Sequence, residues 1–469
     1  MDNLVNVLYV VAFALFIYGL MGLTGPKTAV RGNQIAAVGM AIAVVATFIS
    51  VRHTTNWILI VAGLIVGVAL GIPPARFTKM TAMPQLVAAF NGVGGGTVAL
   101  ISWSEFLNTQ GFSRITEQPS VHIVVGSLFA AIIGSVSFWG SLIAFGKLQE
   151  ILPGRPIGVG RLQQPLNLLL FAGAVASAVV IGIGATKDGA PHWWMLLLLV
   201  LAGVLGLMVV LPIGGADMPV VISLLNALTG LSAAAAGLAL NNTAMIVAGM
   251  IVGASGTILT NLMAKAMNRS IPAIVAGGFG GGGAIAAGSG EQKQAKATSA
   301  ADAAIQMAYA NQVIVVPGYG MAVAQAQHAV KEMASLLEAK GVEVKYAIHP
   351  VAGRMPGHMN VLLAEAEVSY DALKEMDDIN GEFARTDVAL VIGANDVTNP
   401  AAREDSSSPI YGMPVLNVDQ ARSVIVLKRS MNSGFAGIDN PLFYADHTSM
   451  LFGDAKKSVG AVTEELKAL

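Results

Sequence analysis

No cysteine occurs in the 469 residues. That excludes disulfides, thiolate metal sites and a cysteine nucleophile. Charge is scarce as well: 12% of the chain is Asp, Glu, Lys or Arg, against about 25% in an ordinary soluble protein. The scarcity is uneven. Residues 1–270 hold 12 of the 27 Lys and Arg and 6 of the 28 Asp and Glu, and the remaining 199 residues hold 15 and 22. The first part is therefore suited to lipid and the second to water. The formal net charge of -1 conceals an acidic second part, which argues against a nucleic-acid partner. The apolar run begins at once, with no basic stretch before it and no small-residue cleavage site after it. It reads as a retained first helix rather than a signal peptide.

Crossing the hydrocarbon takes roughly 20 apolar residues. Nine segments qualify, at about 4–23, 33–51, 56–72, 83–103, 121–146, 165–185, 192–211, 217–239 and 243–264. If the N-terminus faces out, the inner loops hold nine cations (Lys27, Arg31, Arg76, Lys79, Lys147, Arg155, Arg161, Lys265 and Arg269). The outer loops hold three, Arg52, Arg114 and Lys187. That asymmetry and the odd number of spans place the C-terminal part in the cytoplasm. Small residues crowd the segments, as in Gly92–Thr97, Ala233–Gly237 and Gly249–Gly253, and let backbones approach closely. Glu105, Glu117, His53, His122, His192 and Asp217 fall at predicted helix ends, which suits a solvated, interfacial role. Asn91, Asn226, Ser223, Ser232 and Ser255 lie deeper. An asparagine there is either a packing hydrogen bond or the holder of a water in a proton path, and the residue types alone do not separate the two.

A glycine-rich stretch, Gly277–Gly283, opens an Ala/Ser/Gln/Lys-rich run to about residue 300. It reads as a flexible linker over 271–300 between a membrane domain at 1–270 and a soluble domain at 301–469. Beyond it strands and helices alternate. A short helix is expected over 301–310, strands over 312–317, 342–348, 387–392, 414–417 and 423–428, and helices over 320–340, 358–366, 371–383, 399–402, 419–421 and 453–467. The fold class is a polytopic all-α membrane domain of about nine transmembrane helices, followed by a doubly wound, Rossmann-like α/β domain with a parallel sheet.

The first of those strands runs into Gly318, Tyr319 and Gly320, a turn that suits close phosphate approach at a helix N-terminus. The match to a dinucleotide fingerprint is incomplete, because Val323 stands at the third glycine position. The second strand ends in His349-Pro350 with no carboxylate for a ribose 2′-hydroxyl. The 423–428 strand ends in Lys428, Arg429 and Ser430, two cations and a hydroxyl suited to a 2′-phosphate. NADP is thus favoured over NAD. Arg354 could pair with pyrophosphate. Asp396 is either a helix cap before Pro400 or a group whose ionisation follows the cofactor's redox state. No metal cluster, paired carboxylates or Ser/His/Asp arrangement is evident, and hydride chemistry needs none of them.

The stretches Pro317–Gln327, His349–Ala366, Gly393–Asp396, Lys428–Met431 and Met450–Lys456 resemble the NADP(H)-binding domain of the beta subunit of proton-translocating NAD(P) transhydrogenases. Ile213–Val220 and Lys265–Arg269 resemble the membrane part of the same family, so the likeness spans essentially the whole chain. The resemblance implies hydride transfer from NADH to NADP⁺, coupled to proton entry into the cytoplasm across a bacterial-type inner (plasma) membrane. It implies NAD(H) bound on an alpha subunit, of one chain or two, that adds further transmembrane helices, and a dimer of such units. It further implies that NADP(H) lies inverted relative to a standard Rossmann site, so that Gly318–Val323 need not cradle pyrophosphate. By matching position the nucleotide would touch Tyr319, and Val351, Ala352, Gly353, Arg354, Met355 and Pro356. It would also touch Gly393, Ala394, Asn395, Asp396 and Val397, with Gly412 and Met413. The remaining positions are Lys428, Arg429, Ser430, Met431, Asn432, Ser433, Gly434 and Phe435, followed by Asp454 and Ala455. Asp396 would be the titrating group and residues 403–413 a lid. Some members carry a proton-conducting histidine in the fourth helix, where this chain has Asn91, while Asn226 matches another conduction-related position. A channel or transporter with a dinucleotide-sensing domain is the competing class, although Gly318-Tyr-Gly320 follows a strand and lacks the Thr-Val of a potassium filter.

Overall fold

In a bilayer core the backbone has no water to bond, so each apolar run must close its own hydrogen bonds as a helix. The structure, a computed structural model, describes every residue except 1, 24, 80–81, 114–120, 154–155, 186–188, 215–216, 268–269, 276–294, 354–356, 409 and 435. Among the described residues nine helices are long and apolar enough to span, and the chain is a multi-pass membrane protein. They are α1 (Asp2–Gly22), α2 (Pro26–Ser50), α3 (Trp57–Phe77), α4 (Met83–Asn108), α5 (Val121–Leu148), α6 (Gln163–Ala185), α7 (His192–Val210), α8 (Met218–Ala239) and α9 (Thr243–Ala266). The third was expected to stop at 72, before two prolines. It continues through Pro73 and Pro74 to Phe77; proline's fixed φ is compatible with a helix, although each ring removes one backbone donor. Arg114, Glu117, Arg155, Lys187 and Arg269 lie outside the described residues. Asp217, expected in a solvated position, is buried at the start of α8.

Helices approach where side chains are smallest, as the sequence led us to expect. A Cβ on Gly95 of α4 would stand 2.9 Å from the Gly134 carbonyl oxygen of α5, and one on Gly134 would stand 2.7 Å from the Gly95 oxygen. Only glycine permits that crossing. Three buried polar side chains satisfy helix-end carbonyls. Gln85 Nε2 donates to Leu148 O (3.1 Å) at the end of α5. Lys147 Nζ donates to Leu211 O and, at 2.7 Å, to Ile213 O, just past α7. Gln163 Nε2 donates to Met208 O (2.7 Å). Each removes an orphan acceptor that is costly away from water.

A short helix α10 (Ile271–Val275) follows, and residues 276–294, the centre of the expected linker, lie outside the described residues. The second compact unit of the chain contains a six-stranded parallel sheet in the order β3-β2-β1-β4-β5-β6. The strands are β1 (Gln312–Pro317), β2 (Glu343–Ile348), β3 (Leu373–Glu375), β4 (Val388–Ile392), β5 (Ser423–Lys428) and β6 (Thr448–Phe452). Its helices are α11 (Ala300–Ala308), α12 (Tyr319–Val323), α13 (Gln327–Ala339), α14 (His358–Glu365), α15 (Met376–Ile379), α16 (Ala401–Glu404) and α17 (Ala455–Ala468). Apolar residues at Val330, Met333, Ala334 and Leu337 form one face of α13, and α17 packs beside it with Val459, Val462 and Leu466 buried. On the other face Ile314, Val316, Ala389, Val391, Val424 and Val426 share a core with Phe383, Leu416 and Phe443. Before β6, Lys296 O accepts from Met450 N (2.7 Å) and Thr298 N donates to Met450 O, which covers the outer edge of that strand.

Four expectations are corrected. The helix expected over 320–340 is broken at 324–326, where Gln325 takes a φ of 50°. The helix expected over 371–383 is a three-residue strand, β3, with short helical turns after it. β6 was not foreseen. Residues 414–417 are extended but pair with no strand: Pro414 O bonds His349 Nε2, Val415 O accepts from Asn380 Nδ2, Leu416 N donates to Val397 O, and Asn417 N donates to Asn380 Oδ1.

Gly460 lies within α17 with nothing within 4 Å of where a Cβ would stand. Gly460→Ala is expected to stabilise the domain by roughly 0.5–1 kcal/mol, because alanine forms helix more readily. Urea unfolding of the two proteins checks it.

Candidate functional site

Parallel strands end on the same edge of a sheet, and a crevice opens there where strand order reverses. Here the reversal is between β1 and β4, and the loops after β1, β2, β4, β5 and β6 converge on it. Gly318 and Gly320 follow β1, and their first task is packing. Gly318 N donates to Ile392 O and Gly320 N to Gly393 O, both at 2.9 Å. A Cβ on Gly318 would stand 2.4 Å from Gly393 O. The glycine turn is thus pressed backbone to backbone on the loop after β4, a cause that phosphate geometry alone did not suggest. Tyr319, between them, lies beside the His358 ring, with centroids 6.4 Å apart and planes tilted by 46°.

The loops after β4 and β5 hold the polar groups. Asp396 Oδ2 accepts from Ala436 N at 3.0 Å. A side chain on Gly434 would stand 2.5 Å from Asp396 Oδ1 and 2.7 Å from Asn395 Nδ2, so Gly434 is glycine because these two groups occupy the space. Asn440 Nδ2 holds Asn395 by its backbone and side-chain oxygens, at 3.1 and 3.2 Å. Asn395 Nδ2 is buried and finds no acceptor among the described residues, which makes it a donor available to a ligand. Lys428 turns inward: its Nζ donates to Asn432 O (2.6 Å) and lies 4.5 Å from the centre of the Phe443 ring. Burial lowers its pKa below the ordinary lysine value, while Asp396 and Asp439 oppose that shift. Arg429 and Ser430 are exposed.

The crevice wall includes Gly318, Tyr319 and Gly320, then Val351, Ala352 and Gly353 from the loop after β2, and Gly393 to Val397. It continues with Met413, then Lys428, Arg429, Ser430, Asn432, Ser433, Gly434 and Ala455. Three expected residues lie off the wall. Met431 packs against the core, Gly412 N donates to Ala402 O (2.8 Å), and Asp454 caps α17 by accepting from Lys457 N. Arg354, Met355, Pro356 and Phe435 lie outside the described residues. The wall also holds Ala324, Pro350, Leu427 and Gly453, which the sequence reading missed. Gly453 follows β6, and recognising that strand would have found it. Arg403 ties the start of the 403–413 segment to Asn417 and, at 2.6 Å, to Asp419.

In the membrane part Asn91 is buried on α4 and its Nδ2 donates to Ser141 Oγ of α5 (2.9 Å), while its buried Oδ1 accepts from no donor among the described residues. Asn226 is on an exposed face of α8, and no hydrogen bond joins the two. Ser232 and Ser255 bond carbonyls of their own helices, and Ser223 accepts from Thr260 (2.9 Å). Among the described residues no His, Asp or Glu cluster could hold a metal.

A family profile described as NAD(P) transhydrogenase beta subunit matches residues 5–465. Two proteins named NAD(P) transhydrogenase subunit beta, one from Rhodospirillum rubrum and one from a defined strain of that species, are each 48% identical over 463 residues, covering 98% of this chain and 98% of the relative. The chain belongs to the NAD(P) transhydrogenase beta subunit family.

Proposed function

We propose that this chain binds NADP(H) at the C-terminal edge of its sheet and, with an alpha subunit that holds NAD(H), couples hydride transfer to proton movement into the cytoplasm. The observation that carries the reading is the cluster at the ends of β4 and β5. Exposed Arg429 and Ser430 stand on the same loop as Gly434, which packs on Asn395 and Asp396. The end of β2 offers neutral His349 where an NAD site would present a carboxylate. NADP(H), when bound, accepts or gives the hydride at its nicotinamide ring.

Every other role falls to side chains. Arg429 pairs with the 2′-phosphate, and Lys428, held by Asn432 and Phe443, supports that loop and supplies positive potential. Asn395 Nδ2 donates to the nucleotide, Tyr319 and the Val351–Gly353 loop shape its bed, and residues 403–413 close over it. Asp396 is the carboxylate whose protonation follows the nucleotide's redox state. In the bilayer, Asn91 and Ser141 hold a relay water, and helices of the alpha subunit cover the exposed face of α8 that carries Asn226. The loop-charge asymmetry supports an outer N-terminus. The channel alternative loses its one motif, since Gly318 and Gly320 are committed to packing on Gly393.

Calorimetric titration of the detergent-solubilised chain tests the cofactor. NADP⁺ is expected to bind more tightly than NAD⁺, and Arg429→Ala to weaken NADP⁺ alone by roughly 10–100-fold, the loss of a charge-assisted phosphate contact. Equal affinity for the two nucleotides would sink the assignment. In vesicles carrying both subunits, Asn91→Ala is expected to cut proton translocation per hydride transferred about tenfold or more, a relay-water loss comparable to losing one proton-transfer group. Unchanged pumping would return Asn91 to a packing role.

A further inference from the structure

We infer that His349 is a positioning residue that pins two separate loops of the crevice to each other. The inference rests on the NADP(H) reading of that crevice. His349 follows β2 directly and is 2% exposed. Its Nδ1 accepts from Val351 N at 3.2 Å. Accepting there leaves the ring proton on Nε2, and Nε2 donates to Pro414 O at 2.8 Å. One neutral imidazole therefore spans from the turn after β2 to a segment 65 residues later.

Both ends matter to the wall. Val351 and its neighbours Ala352 and Gly353 line one side, and Met413, adjacent to Pro414, lines another. Among the described residues, the backbone bond that also holds the Val351 turn runs from Ala352 N to His349 O (3.1 Å). The other end is a stretch whose backbone is held by side chains rather than by a strand, with Asn380 gripping Val415 O and Asn417 N. Removing the ring frees the turn and the start of that stretch together, while Asn380 keeps the far end in place. Burial also holds the His349 pKa down at about 4, so the ring remains neutral and the donor–acceptor pattern intact throughout the neutral range. His349 touches no reacting atom. It acts through Val351 and Pro414.

The test uses the full chain in detergent and three variants, with NADPH as the probe. His349→Gln keeps a donor near the Nε2 position and loses the acceptor. His349→Asn keeps an acceptor near Nδ1 and cannot reach Pro414. His349→Ala loses both. NADPH dissociation is expected to accelerate about tenfold in the alanine variant, the scale of one or two lost hydrogen bonds, with the other two between it and the parent. In the assembled enzyme the KM for the NADP substrate is expected to rise while the KM for NADH stays within about twofold, because NADH is held on the partner. A purely structural role would lower the temperature of unfolding and leave NADPH release unchanged at temperatures where all variants are folded. That result overturns the inference. A parent chain that fails to bind NADPH would overturn the cofactor reading instead, so the two failures are distinguishable.

Discussion

Gly393→Ala is expected to destabilise the C-terminal domain by about 2–5 kcal/mol and to abolish nucleotide binding with it. Two costs add. Gly393 has a φ of +65°, a left-handed conformation that costs an L-residue roughly 1–2 kcal/mol. A Cβ there would also stand 2.4 Å from Gly320 Cα and 2.6 Å from Gly320 C. Those are backbone atoms of the β1–α12 turn and cannot rotate away, so the two loops must separate, an overpacking cost of about 1–3 kcal/mol. Against a total stability of roughly 5–15 kcal/mol for a domain, that is a large fraction. Gly341→Ala isolates the first cost. Gly341 has a φ of +88° at the end of α13 and nothing within 4 Å of its Cβ position, so about 1–2 kcal/mol is expected. Urea unfolding of residues 295–469, which carry their own sheet and core, gives both numbers, and NADP⁺ titration gives the functional loss. Equal destabilisation by the two substitutions would show that the packing of Gly320 on Gly393 contributes nothing.

How far the sequence carried depended on what each residue bonds to. The nine spans were legible because lipid imposes one solution on a long apolar run. β1, β4 and β5 were legible as near-continuous apolar strands such as Val313–Val316, the pattern of a sheet covered on both faces, and β2 as a β-branched and aromatic run, Val344–Ile348, after the helix. β3 was not, because Leu373-Lys-Glu375 is a three-residue edge strand with polar side chains, and β6 begins with Thr448 and Ser449, which dilute its apolar signal. The apolar stretch at 414–417 misled for a physical reason: an extended segment and a strand look alike in sequence, and only the partners of Val415 and Leu416 tell them apart. The glycine and charge motifs of the crevice were readable because parallel strands deliver their C-terminal loops to one edge. That Met431 packs against the core was not legible, because no periodicity constrains a loop side chain. His349 was invisible as a tie because both of its partners are backbone atoms, which carry no sequence signal.

The same histidine makes the stability of the C-terminal domain pH-dependent over a window of its own. Burial lowers the His349 pKa from an ordinary 6.5 to about 4, with the Pro414 bond opposing the shift. Between those values the unfolded chain binds a proton there that the folded chain does not. Stability therefore falls as pH drops from 6.5 toward 4 and is level in this respect above 6.5. The full difference is about 3 kcal/mol. Carboxylates act lower. Burial alone would raise the Glu382 pKa, but hydrogen bonds from Lys345, Gln312 and Arg385 hold it below the ordinary value. Backbone and side-chain bonds from Asn311 do the same for Asp387, despite some burial. Their contributions are present above the ordinary carboxylate values of 4.5 and 3.8 and are lost as pH falls through the lowered ones. Urea unfolding of residues 295–469 at pH 7.5, 6.5, 5.5 and 4.5 (about half-unit control suffices) is therefore expected to show a decline below 6.5 that His349→Gln largely removes, since glutamine has no proton to take up. A variant that retains the parent's slope would mean that His349 is protonated in the folded domain at those pH values, and that its bond to Val351 N is not the acceptor bond that fixes the ring.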